Sequence, residues 1–93
     1  MLSNFEIIEK EVVNTLHFPQ SEVLETKEQI QQRICDLNRA MALGNLEHSK
    51  IKIYFEDDCS KKVVETTIWA LTDEQIVLKQ GCTIPINRIY TSA

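Results

Sequence analysis

Through residues 50–90 apolar and polar side chains alternate, and in one stretch both alternating sets are apolar. A period of two places successive side chains on opposite faces of a strand, so this region is restricted to a small pleated sheet. KIKIYFE, residues 50–56, puts Ile51, Ile53 and Phe55 on one face and Lys50, Lys52, Tyr54 and Glu56 on the other, the pattern of a half-buried strand. DDCSK supplies a turn. Residues 62–71 read as a longer strand, with Val64, Thr66, Ile68 and Ala70 facing one way and Val63, Glu65, Thr67, Trp69 and Leu71 the other. Both faces become apolar toward its end, which predicts a bent strand serving two sheets. Thr72-Asp73-Glu74 reverses the chain, and Ile76 and Leu78 return inward. Gly81 sits in the next turn, Ile84 and Ile86 face inward, and Pro85 belongs on an edge or strand end. Asn87-Arg88 forms a tight turn before Ile89-Tyr90-Thr91, giving four to five short antiparallel strands.

The first half follows a helical period. Ser3 and Glu6 form a capping-box pattern, and Phe5, Ile8, Val12 and Leu16 recur at spacings of three and four, predicting a helix over 4–16 that ends near His17 before Pro19. Thr26 and Gln29 repeat the capping box ahead of Ile30, Ile34, Leu37 and Met41, predicting a second helix over 27–43 with Gly44 as its left-handed cap. The expected fold is α+β in one domain: a helical hairpin (residues 3–45) packed on a small, strongly bent antiparallel sheet or partial barrel (50–92).

The rhythm I-x-L-x-x-G-x-x-I-P-I-x-x-I over residues 76–89, after a short and then a long bent strand, resembles the Sm-like and SH3-like small β-barrels. The resemblance covers about residues 50–92 and implies a barrel in which a single helical turn separates the last two strands. It implies no RNA pocket: VETTIWA has no glycine at the bend, and Asn87-Arg88 is followed by Ile89 rather than by glycine. The whole chain is also similar to short bacterial proteins, a resemblance that carries no activity with it.

Charge narrows the function classes. Residues 1–49 carry four basic and eight acidic side chains, and residues 50–93 carry six of each, for a net charge of −4. An acidic half beside a neutral half disfavours nucleic acid, whose affinity is dominated by phosphate contacts. No basic leader with an apolar stretch opens the chain, and no apolar run approaches a bilayer span, so neither a signal peptide nor membrane insertion is expected. Three widely spaced cysteines, Cys35, Cys59 and Cys82, suit a reducing cytoplasm.

No catalytic cluster, metal-ligand spacing or cofactor motif is present: His17 and His48 lie beyond helix ends, Cys35 has no adjacent base, and Asp57-Asp58 reads as a turn. A non-enzymatic interaction or regulatory module is expected, contacting a protein partner or a second copy through Trp69, Leu71, Ile34, Leu37 and Met41. A homodimer or larger homo-oligomer is expected, with a two-fold contact centred on Ile34, Leu37 and Met41. The alternative is a single-stranded nucleic-acid binder using Lys50, Lys52, Tyr54 and Arg88, where cations beside an aromatic ring would neutralise phosphates and stack bases.

Overall fold

One long helix accompanies seven short strands in the computed structural model, which describes residues 4–47 and 50–92, with backbone alone for 44–47. Strands β1 (Glu6–Ile8), β2 (Ile51–Glu56), β3 (Lys61–Thr66) and β7 (Ile89–Ser92) form a sheet in the order β1-β3-β2-β7. Strands β4 (Ile68–Leu71), β5 (Gln75–Leu78) and β6 (Thr83–Pro85) form a second sheet in that order. All pairings are antiparallel except β1 with β3. The helices are α1 (Lys10–Val13), a single turn, and α2 (Lys27–Glu47).

The expected long strand is β3 and β4 in succession. It breaks at Thr67, whose carbonyl accepts the Lys79 amide at 3.0 Å, and its halves enter different sheets. The break follows from burial on both sides: Val63, Val64, Thr66, Thr67 and Ile68 are all buried, so a flat strand would leave one side uncovered. Gly81, at φ +86°, completes the turn between β5 and β6, a conformation that costs glycine little. Pro85 ends β6 on the sheet edge, where its missing amide is harmless. A 3-10 turn, Ile86–Arg88, then leads into β7.

Three expectations are corrected. The helical hairpin does not form among the described residues: residues 6–8 are a strand, 10–13 a single helical turn, and α2 is the one full helix there. The physical reason is that Glu6, Ile7 and Ile8 complete the open edge of β3 in register with Lys62, Val63 and Val64. Paired β-branched residues are favoured there, whereas a short isolated helix is marginal. Among the described residues there are seven strands, six of them within 50–92 where four to five were expected, and neither sheet closes into a barrel by itself. Gly44 lies inside α2, which continues to Glu47; glycine within a helix costs about 1 kcal/mol, and the continued backbone ladder offsets this. The capping pattern at Ser3 and the position of His48 fall outside the described residues.

The capping box of α2 forms as expected. The Gln29 amide donates to Thr26 Oγ1 at 3.1 Å, and Gln29 Oε1 accepts from the Thr26 amide at 3.3 Å. The helix packs on β4 and β7, strands of different sheets, and so covers the gap between them. Beneath it the core contains fully buried Leu37, Ile53, Phe55, Ile76, Leu78 and Ile84. No helix among the described residues is long and apolar enough to cross a membrane.

Candidate functional site

The helical period alone does not fix which residues of α2 face the core. Arg33, Leu37 and Ala40 are buried, whereas Ile34 is 40 % exposed. A guanidinium is tolerated in the stripe because its charge is paired: Arg33 Nη1 and Nη2 donate to Glu22 Oε2 and Oε1 at 2.6 and 2.7 Å, a bidentate fork. Nη1 also donates to the Ile89 carbonyl at 3.0 Å, and Nε is buried without a partner. Burial opposes charge on Glu22, but the bonds from Arg33 and the Leu24 amide, with the attraction of Arg33, outweigh it and hold the carboxyl below its usual value. With Arg33 inside, Ile34 moves to the margin of the stripe.

There it lines a groove. Two adjoining concavities, of about 530 and 280 Å³, share Ile34, Asp73 and Ile86. Leu37 and Leu71 complete the apolar part, and Glu22, Asp73 and Glu74 stand along its edge. The backbone of that edge is hydrogen-bonded. Thr72 Oγ1 accepts the Glu74 and Gln75 amides at 3.2 and 3.0 Å, and the Ile86 amide donates to the Glu74 carbonyl at 2.9 Å. These bonds order the β4–β5 turn and tie it to the 3-10 turn, which places the backbone of Asp73 and Glu74 beside the groove.

The expected contact residues are partly brought together. Ile34, Leu37 and Leu71 line one concavity, but Leu37 is 0 % exposed and belongs to the core, offering no free surface. Met41 is half-buried against the same core. Trp69, 53 % exposed, stands apart from Leu71. One extra residue on β4 between the Ile68 and Ala70 pairings makes a bulge at Trp69. That shift places Leu71 opposite buried Ile76, turned to the core, and breaks the simple alternation that would align it with Trp69.

The residues of the nucleic-acid alternative do not assemble into a cationic face. Lys52 is paired in register with Glu65. Tyr54 is buried, with the Phe5 ring edge-on at 5.2 Å. Arg88 is 6 % exposed and fully engaged: Nε donates to the Glu56 carbonyl at 3.1 Å, Nη2 to Asp57 O at 3.3 Å, and Nη1 to Ser21 O and Oγ at 2.9 and 3.1 Å. Lys50 is exposed ahead of β2. Lys61 is exposed, with its ammonium 5.9 and 5.5 Å from the Phe5 and Tyr90 ring centres, at the outer reach of a cation–π contact.

Asp57, Asp58 and Cys59 bring donor atoms within 4.8 Å of one another, yet the arrangement is a turn. Asp57 Oδ1 accepts the Cys59 and Ser60 amides at 2.9 and 2.8 Å, and Oδ2 accepts from Lys62 Nζ at 2.9 Å. A hydrogen bond to Asp58 and that carboxylate's charge push the Cys59 thiol up, which opposes thiolate chemistry. The residues that sequence reasoning missed are Glu22, Arg33, Asp73, Glu74 and Ile86. Glu22 and Arg33 carry no local signal, since their pairing spans a loop; Asp73 and Glu74 were legible only as a turn. The chain matches no protein-family model, no curated protein and no solved structure.

Proposed function

We propose that the chain is a non-enzymatic protein-interaction module whose contact surface is the groove between α2 and the β4–β5 turn. One observation carries this reading: an exposed isoleucine, Ile34, meets Leu71 and Ile86 in a concave surface with a polar edge. Partner contacts favour such sites, with an apolar centre enclosed by a polar rim. The strand succession, the kink at Thr67 and the single 3-10 turn before β7 support the small-barrel resemblance, with α2 as a lid over its open side. Nucleic-acid binding is the weaker reading, because Lys52 has an opposing glutamate, Tyr54 is covered and Arg88 is occupied.

Selection of a random peptide library on the wild-type chain, with Ile34→Glu as counter-target, tests the reading. Ile34 is partly exposed, so the variant is expected to fold, with unchanged circular dichroism as the check. Enriched peptides should lose affinity by about tenfold or more on the variant. Peptides that bind both chains equally, or no enrichment at all, would remove the groove as the contact surface.

A further inference from the structure

We infer that the partner segment is basic, with an apolar side chain seated beside Ile34, Leu71 and Ile86 and flanking lysine or arginine side chains meeting Asp73 and Glu74. This rests on the groove being the contact surface and adds the chemistry of its occupant. Arg33 is neutralised by Glu22 through two hydrogen bonds, so it offers little net charge to an incoming chain. Asp73 and Glu74 are exposed, and neither has an ion-pair partner among the described residues. Their turn backbone is pinned by Thr72 Oγ1 and by the Ile86 amide, which keeps the origin of both side chains beside the groove. Fixed charge of one sign beside an apolar surface selects an occupant of the opposite sign and repels its own kind. A second copy docked two-fold on this groove would bring a second acidic edge to the same interface, and a phosphate backbone would be repelled by the first.

Three synthetic peptides test this, alike in a central leucine pair and differing only in flanking lysine, glutamine or glutamate. Binding is read by amide shifts of the isotope-labelled chain. The lysine peptide should bind about tenfold tighter than the glutamine peptide at low salt, and the glutamate peptide weakest. The advantage of lysine should vanish in the double variant Asp73→Asn, Glu74→Gln and shrink as salt rises. Equal binding of the lysine and glutamine peptides, both lost in Ile34→Glu, would overturn the charge inference while leaving the groove as the contact surface. Groove amides that respond to none of the three would overturn both. Light scattering that shows twice 10.8 kDa, returning to 10.8 kDa in Ile34→Glu, would make a second copy the occupant and overturn the inference as well.

Discussion

Arg88 donates to the Glu56 and Asp57 carbonyls and to both oxygens of Ser21, fixing the loop before α2 to the end of β2. Val23, whose amide donates to the Asn87 carbonyl at 3.0 Å, reinforces the same junction. A lysine keeps the charge but not the fork, so Arg88→Lys leaves the buried Asp57 carbonyl and part-buried acceptors on Glu56 and Ser21 short of donors. The expected cost is about 2–3 kcal/mol, lowering Tm by roughly 10 °C or more in a chain of this size. An unchanged Tm would mean that Arg88 is not the clasp described. Tyr90 gives a pH test. Burial, then its hydrogen bond to Glu56 and that residue's charge, push the phenol up to about 12 from an ordinary 10.0. The folded state thus favours the neutral ring. Its contribution to stability is complete below the ordinary value and is lost as pH rises toward 12. In the folded chain, phenolate absorbance should show a late-titrating tyrosine that is missing from Tyr90→Phe. A wild-type titration with no such late component would contradict this environment.

At the scale of the element, residues 6–8 separate two readings of one sequence. Phe5, Ile8, Val12 and Leu16 do keep a helical spacing, but β3 presents an edge that only a strand can complete. Ile7 is 84 % exposed, so its replacement by alanine tests backbone preference with little interference from packing. In a helix Ile7→Ala would stabilise by about 0.4 kcal/mol; in β1 it should destabilise by about 0.5 kcal/mol. The sign, from denaturant unfolding, decides between them. The contrast marks what local sequence conveys. α2, β2 and the turn at 86–88 were legible because a cap, an alternation or a tight turn is specified within a few residues. The parallel pairing of β1, the bulge at Trp69 and the burial of Arg33 depend on partners far along the chain, and no local period encodes them. The groove was half legible for the same reason. Ile34 and Leu71 stood out as apolar, while Asp73 and Glu74 had meaning only once the turn lay beside the helix.

For the whole molecule, one helix closes the gap between two small sheets and thereby creates a concave surface at the helix margin. Trp69, on the second sheet, remains a separate exposed side chain outside the groove. The assembled charge pattern also separates the two functional classes, because the groove has an acidic edge while Lys50, Lys52 and Lys61 lie elsewhere. The most direct measurement is an amide-shift titration of one labelled sample at low salt, first with a mixed single-stranded oligonucleotide and then with the lysine-flanked leucine peptide. The predicted result is no response to the oligonucleotide, and peptide-induced shifts clustered at Ile34, Leu71–Glu74 and Ile86. Shifts at Lys52, Tyr54 and Lys61 on adding the oligonucleotide, with the groove silent to peptide, would contradict the account.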